Sequence, residues 1–388
     1  MRIIFFTDVY RPTVNGVVES IDLFASELRA QGHEVQIVCP RYGDETPEDE
    51  QDVLRIQSFP FLLYREYRLA TIFSKTLFSH MRKNAYDVVH IHSPFAVGLL
   101  GLYYAKRYNV PIIYTAHTNY ADYLHYVPGV NRILTPELTD KLAARFSNRI
   151  DMTIAPSEKI KQNLLSDGAT QQVEVMSTGI NLSAFKTGDS DRFKGKFNIG
   201  PGPVLLYVGR LTKEKNIEFL MRSFALVRQS SPDTQLVLVG DGPWRGRLAQ
   251  LASELGIDSS ITFTGYLQGQ DRFDAYASGD IFCLTSKTET QGLVLLEAAA
   301  SGMPLAVISD QAYEYIAHEG INAVVAHSEQ EYALKLAHLL QDRQLREHMS
   351  QQSLELSDSY SISRQAETLV EFYERCIHAK RVRIKEYS

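Results

Sequence analysis

Two glutamates, Glu289 and Glu297, stand eight positions apart in the run Glu289-Thr-Gln-Gly-Leu-Val-Leu-Leu-Glu297. The stretch before it, Asp280-Ile-Phe-Cys-Leu-Thr285, has strand character. A helix is expected after it, closing at Ser301-Gly302, where glycine suits a left-handed stop. Glu289 then falls in the loop before the helix and Glu297 about two turns inside it. Ionised carboxylates so placed accept hydrogen bonds from sugar or ribose hydroxyls. An acid favoured by the helix dipole plus a solvated mid-helix glutamate has the same spacing, so the run alone leaves both readings open.

Other candidates also follow strand-like runs. Gly209-Arg-Leu-Thr-Lys-Glu-Lys-Asn216 opens a helix with Arg210 and Lys215 as cations. Arginine grips phosphate in a bidentate fork and lysine as a point charge, and the helix N-terminus adds its dipole. A solvated basic loop is the plainer reading. Gly240-Asp-Gly-Pro243 starts like a dinucleotide fingerprint, but Arg245 stands where the third glycine belongs, against a nicotinamide dehydrogenase; a tight turn also explains it. Val14-Asn-Gly-Val17 could bring Gly16 amides to an anion or be an ordinary turn. Asp8 could accept from a hydroxyl or cap a turn. His90-Ile-His-Ser-Pro94 and Ala116-His-Thr-Asn-Tyr120 place histidines after two strands. His117, directly behind the apolar run Ile112–Tyr114, is the better candidate for contact with a hydroxyl or a reacting centre. There is no phosphate-loop motif, no GxSxG elbow and no convincing metal spacing.

The elements that must position these residues alternate. In the first half the strands are Arg2–Phe6, Glu34–Val38, Asp87–Ile91, Ile112–Thr115, Met152–Ala155 and Val173–Met176, with a helix over Val17–Ala30 ended by Gly32. In the second half they are Val204–Val208, Leu236–Val239, Ile261–Phe263, Ile281–Leu284 and Leu305–Ile308, with a helix over Glu214–Gln229. Strands joined by helices build parallel sheets covered on both faces. The 388 residues exceed one core, and the glycines and prolines of Lys186–Pro203 suggest a linker. We expect two doubly wound domains facing a cleft, with function at the carboxyl ends of their strands. The boundaries are 1–185, a linker at 186–203, and 204–362, with the final helix 363–388 returning to the first domain.

The chain is 44% hydrophobic and 22% charged, with a net charge of −6; this argues against a general nucleic-acid binder. No apolar stretch approaches ~18 residues, so no membrane-spanning helix is expected. Cys39, Cys283 and Cys376 are far apart and lack metal spacing, consistent with a reducing cytoplasm. Acid-rich Asp44–Asp52 reads as an exposed loop.

In this order the segments resemble the retaining nucleotide-sugar glycosyltransferases of family 4, with the GT-B fold of two Rossmann-like domains. They are Phe5-Phe-Thr-Asp-Val-Tyr-Arg-Pro-Thr-Val-Asn-Gly16, His90–Pro94, Ala116-His-Thr118, Ala155-Pro-Ser157, Gly209-Arg-Leu211 with Lys215-Asn216, Gly240-Asp-Gly242, and Glu289 to Glu297. The resemblance covers essentially the whole chain. It implies that Arg210 and Lys215 bind the donor diphosphate with help from the Gly16 backbone. Glu297 would take the ribose hydroxyls, and Glu289 and His117 would contact the donor sugar. Gly240, Asp241, Tyr266, Gly292 and Leu293 complete the implied donor site. Some members have paired glycines where this chain has Asn15-Gly16. No metal would be required, because the cations replace it. A non-catalytic scaffold that binds nucleotide sugars is the rival from another class.

His117-Thr-Asn-Tyr-Ala-Asp-Tyr-Leu-His-Tyr-Val-Pro128 is similar to synthases that glycosylate diacylglycerol and to relatives acting on phosphatidylinositol. That implies glucose from UDP-glucose moved to a membrane lipid, with Asp8, Tyr120, Tyr123 and Tyr126 toward the acceptor. GDP-mannose, a sulfosugar or a soluble acceptor are the alternatives. Independently, Phe59–Lys83 is aromatic and basic, with Arg65, Arg68, Lys75, Arg82 and Lys83 against Glu66. Leu69, Ile72, Phe73, Leu77 and Met81 follow helical spacing. Such a segment suits the anionic inner face of a membrane, giving a cytoplasmic, peripherally bound enzyme; a helix packed on its own domain is the alternative. Lys380, Arg381, Arg383 and Lys385 could add head-group contacts or form a solvated end.

Overall fold

In the computed structural model the described residues are 1–43, 51–60, 68–71, 74–121, 124 and 135–386, with no side-chain description for 383–386. The expectations for Asp44–Glu50, Arg65, Glu66, Ile72, Phe73, Tyr123, Tyr126, Arg383 and Lys385 lie outside that description.

The chain forms two compact units, Met1–Gly179 with Ile362–Ser388, and Ile180–Ser361. The first holds a seven-stranded parallel sheet in the order Val53–Ile56, Glu34–Pro40, Arg2–Phe6, Val88–Ile91, Ile112–Thr115, Met152–Ala155, Val173–Val175. Its central strands are apolar on both faces because helices cover both: Ile3, Ile4, Phe5 and Phe6 are all fully buried. Helix Gly16–Ala30 starts where the Asn15 side chain accepts from the amides of Val17 and Val18, and it buries Val18, Ile21, Phe24 and Leu28 at helical spacing. The final helix, Ile362–Glu386, packs against it through Ala366, Leu369 and Tyr373.

The second unit holds a six-stranded parallel sheet in the order Ile261–Gly265, Gln235–Val239, Val204–Val208, Ile281–Leu284, Leu305–Ile308, Ala323–Ala326. In each sheet the order reverses once, beside Arg2–Phe6 in the first and beside Val204–Val208 in the second. At such a switch point the loops leave in opposite directions and open a crevice at the strand ends.

Four expectations need correction. Segment 186–203 is folded rather than a linker. It carries helix Ser190–Phe197, which packs on helix Gly269–Ser278, and Arg192 pairs with the buried Asp274 at 2.5 Å. Two of its glycines serve close packing: a Cβ on Gly188 would stand 2.3 Å from the Phe273 carbonyl oxygen, and one on Gly202 2.0 Å from that of Asp233. Second, the helix expected from Glu214 begins at Ile217, after a short 3-10 turn, because Asn216 takes a left-handed φ of 55°. Third, helix Leu293–Ala300 is short, so Glu297 lies about one turn inside it rather than two. Fourth, the apolar stripe of Phe59–Lys83 is not one helical face. Leu69 is on a strand, Arg68–Ala70, of an antiparallel hairpin with Ser58–Pro60, and Ser74 caps a helix confined to Lys75–Lys83. That helix turns Leu77 and Met81 into the core of its own unit. Among the described residues no helix is long and apolar enough to cross a membrane.

Candidate active site

In the second unit the candidates gather at the switch point. The loop after Val204–Val208 is held on the next one by glycines. Gly240 has φ 139°, its amide donates to the Gly265 carbonyl at 2.9 Å, and a Cβ there would stand 1.9 Å from the Gly209 carbonyl oxygen. The two loops can meet only without that side chain. The tight-turn reading of Gly240-Asp-Gly-Pro243 is thus structurally sufficient: Asp241 accepts from the Gly242 amide at 2.8 Å, and its carbonyl accepts from Leu211 at 3.0 Å. Asn216 then ties the loop across the switch point, its amide donating to the Thr285 carbonyl at 3.1 Å while the Thr285 hydroxyl donates back to the Asn216 carbonyl at 3.0 Å.

This clasp brings Lys215 to Glu289. Nζ lies 2.5 Å from Oε1, and both side chains are mostly buried, 17% and 14% exposed. Arg210, earlier in the same loop, is exposed, and its carbonyl accepts from the Tyr207 hydroxyl at 3.1 Å. Beyond Glu289 the chain passes through Gly292, at φ 74°, into helix Leu293–Ala300. Gly292 cannot supply a capping side chain, so the first amides of that helix, at Leu293 and Val294, present the positive end of its dipole. Lys215 and these amides therefore put positive charge at one strand-end crevice, with Glu289 as local counter-charge, and the loop that carries Lys215 also carries Arg210.

Glu297 is more enclosed than a ribose contact requires. It is 2% exposed; its Oε1 accepts from Arg272 and its Oε2 from the Tyr276 hydroxyl. Both partners come from helix Gly269–Ser278, four residues apart and so on one face. Each carboxylate oxygen has further lone-pair capacity, so this clamp orients the carboxylate while leaving it able to accept more. Reasoning from the sequence missed Arg272 and Tyr276. Their only signal was an i, i+4 pair on a helix that carries no strand-end motif. Tyr266 is 58% exposed beside Gly265.

In the first unit the strand ends hold a different group. Asp8 is 2% exposed, and its carboxylate accepts from the Val97 amide at 2.8 Å, the Gly98 amide at 3.3 Å and the Ser93 hydroxyl at 3.0 Å. Helix Ala96–Arg107 has no side-chain cap from its own N-cap residue, so Asp8 caps it from the loop after strand Arg2–Phe6. Burial pushes the Asp8 carboxyl up to about 6, against the lowering pull of these donors. The cap, rather than an acceptor contact, accounts for this residue. Asn15 takes the amides of Val17 and Val18, so an anion at this terminus would meet the Gly16 amide. Tyr120 packs edge-on against Phe95, with ring centroids 4.8 Å apart. Arg68 is engaged by Ser58 and lies over the Tyr42 ring, while Arg82 and Lys83 are exposed.

His90, His92 and His117 form a column. His90 is bonded on both sides, Nδ1 to the Tyr373 hydroxyl and Nε2 to the Thr115 hydroxyl, each at 2.7 Å. Its ring centroid lies 4.1 Å from that of His92, and His92 Nδ1 lies 2.9 Å from His117 Nε2. Burial drives His90 and His92 well below the usual histidine range and His117 down to about 4. All three are neutral at physiological pH. The sequence singled out His117 but not its bond to His92, because the two residues follow different strands that the sheet brings side by side.

Two parallel-sheet Rossmann-like units, each with its candidate residues at the strand ends, have the architecture of the GT-B fold. Residues 14–184 match glycosyltransferase family 4, and residues 189–355 match glycosyl transferases group 1. The chain belongs to the family 4 glycosyltransferases. It is 32% identical over 357 residues to the alpha-monoglucosyldiacylglycerol synthase of Acholeplasma laidlawii, covering 89% of each chain. It is 36% identical over 313 residues to the enzyme of that name from Streptococcus pneumoniae, covering 79% of this chain and 70% of the other. Among solved structures, sucrose-phosphate synthase from Thermosynechococcus elongatus superposes with a TM-score of 0.79 at 18% identity, covering 98% of this chain and 100% of that one. That likeness shows the fold, GT-B.

Proposed function

We propose that the protein moves glucose from UDP-glucose to the hydroxyl of 1,2-diacylglycerol with retention of the α configuration. The carrying observation is Lys215 held against Glu289 beyond Val204–Val208, in the loop that also carries the exposed Arg210, with the helix after Gly292 left without a capping side chain. That arrangement suits a departing diphosphate, whose charge grows as the anomeric bond breaks. The two synthases similar to this chain carry glucose and diacylglycerol in their names, which supports the sugar and the acceptor.

In this reading the acceptor oxygen attacks the anomeric carbon on the face from which the diphosphate leaves. The glycosidic C–O bond forms as the C–O bond to phosphate breaks, and the acceptor proton passes to the leaving phosphate. Glu297, clamped by Arg272 and Tyr276, orients the ribose, and His117 meets the sugar. Arg210 and Lys215 supply the positive charge, so a divalent ion is not assigned a role. The exposed Lys75, Arg82 and Lys83 supply a basic surface for an anionic membrane at its cytoplasmic face.

The test is product analysis by mass spectrometry. UDP-glucose, GDP-mannose and a UDP-sulfosugar compete over vesicles of diacylglycerol in anionic lipid, with soluble sugars as alternative acceptors and EDTA in a parallel set. α-Glucosyldiacylglycerol from UDP-glucose, undiminished by EDTA, is the expected product. A mannosylated lipid or a soluble glycoside would replace the donor or acceptor assignment. Binding without turnover would make the protein a scaffold.

A further inference from the structure

In the second unit a buried tyrosine supports the loop that carries Glu289. Tyr313 is 2% exposed and follows strand Leu305–Ile308, the sheet neighbour of Ile281–Leu284. Its backbone is fixed by local turns. Its amide donates to the Asp310 carbonyl at 3.0 Å, and its carbonyl accepts from Ile316 at 3.0 Å and Ala317 at 2.8 Å. From this seat the side chain reaches loop 285–292. The phenol hydroxyl donates to the carbonyl of Ser286, a fully buried residue. At the far end of the loop, a Cβ built on Gly292 would stand 3.5 Å from the edge of the Tyr313 ring. One side chain thus spans the base of the loop, with its hydroxyl at the start and its ring at the close.

Core filling explains the ring but not the hydroxyl. Phenylalanine fills nearly the same volume, and a buried phenol costs free energy unless it is bonded. The Ser286 carbonyl is likewise a buried acceptor that needs a partner. Burial, and after it the nearby charge of Glu289, push the Tyr313 phenol above its ordinary range. The hydroxyl therefore keeps its hydrogen and donates at every physiological pH. Past Ser286, the Thr288 amide meets the Ser286 hydroxyl at 3.4 Å. Glu289 comes next, with its Oε1 2.5 Å from Lys215 Nζ. A shift at Ser286 displaces that carboxylate only three residues on.

We propose that Tyr313 is a positioning residue for the transfer: its hydroxyl on the Ser286 carbonyl sets the place of Glu289 against Lys215. This rests on the reading that Glu289 meets the donor sugar. Asn216 holds the loop at Thr285 from the side of Lys215. Tyr313 holds it at Ser286 from the side of the next strand. Loss of the hydroxyl releases the second hold alone, so the loop stays folded while Glu289 ranges over more positions.

The experiment pairs Tyr313→Phe with Ser353→Ala. The second variant removes a bond of the same kind outside the loop, from the buried Ser353 hydroxyl to the Met303 carbonyl at 2.8 Å. In Tyr313→Phe, kcat should fall about tenfold, the value of one neutral hydrogen bond. Amide hydrogen exchange over 285–292 should quicken by about the same factor. UDP affinity, which does not draw on Glu289, should stay unchanged. Ser353→Ala should lose similar stability toward urea and keep both the rate and the slow exchange. In a Glu289→Ala background, Tyr313→Phe should lower kcat no further, whereas a general loss of stability acts in both backgrounds. Wild-type kcat in folded Tyr313→Phe overturns the proposal, as does unchanged exchange of the loop or an equal further loss in the Glu289→Ala background. Full transfer by Glu289→Ala would instead overturn the reading of Glu289 itself, while the exchange rates would still decide whether Tyr313 holds the loop.

Discussion

Replacing Arg272 by methionine leaves a buried carboxylate without its cation. Glu297 is 2% exposed and Arg272, one of its hydrogen-bond donors, is 25% exposed at its side chain. Removing one partner of a buried pair costs ~3–5 kcal/mol. Arg272 is partly solvated and Tyr276 still donates, so the lower end applies, about 3 kcal/mol. With a urea dependence of about 2 kcal/mol per molar for a unit of this size, the unfolding midpoint should fall by about 1.5 M. The assay is built in, because Trp244, the only tryptophan, packs against the core of the second unit and reports on that unit. Arg272→Met with Glu297→Gln should recover most of the loss, since a neutral amide needs no counter-charge. A single-variant shift below about 0.5 M, the size an exposed pair gives, refutes the reasoning, as does a double variant no more stable than the single one. Because the clamp also orients Glu297, UDP affinity measured by calorimetry should fall in Arg272→Met even where the protein is fully folded.

Arg210→Ala should lower turnover about 10²-fold with little change in stability, because the side chain is exposed; near-normal turnover of folded protein removes Arg210 from the mechanism. Gly240→Ala must place a Cβ 1.9 Å from the Gly209 carbonyl at a φ of 139°, and should cost about 3 kcal/mol or more, read by the Trp244 thermal transition. Burial pushes the Asp8 carboxyl up to about 6 in the folded protein, against 3.8 for an ordinary aspartate. The folded state therefore holds that proton more tightly, and this group contributes up to about 3 kcal/mol of stability below pH ~4 that is lost as pH rises through about 6. Asp8→Asn, neutral throughout, should flatten the pH dependence of unfolding between those limits by circular dichroism; an unchanged slope contradicts the cause assigned.

Both parallel sheets were legible because their central strands are buried on two faces and so read as continuous apolar runs; Arg2–Phe6, Ile112–Thr115 and Val204–Val208 agree to the residue. Short edge elements escaped for the converse reason. Val53–Ile56 is mostly half-buried, Ala323–Ala326 is short and alanine-flanked, and the hairpin of Ser58–Pro60 with Arg68–Ala70 lies in a stretch whose spacing imitates a helix.

The sequence by itself determined which residue types stand after which strands, since that order is local. It placed Arg210, Lys215 and Glu289 in loops that follow strands. It could not decide which of them pair, because a partner on another strand end is a matter of sheet order. Only the tertiary structure set Lys215 against Glu289, clamped Glu297 between Arg272 and Tyr276, turned Asp8 onto a helix terminus, and bonded His117 to His92. Each of these contacts joins groups that are 21 to 90 residues apart in the chain. The physical reason is common to them: a buried polar group must find its partner wherever the fold supplies one.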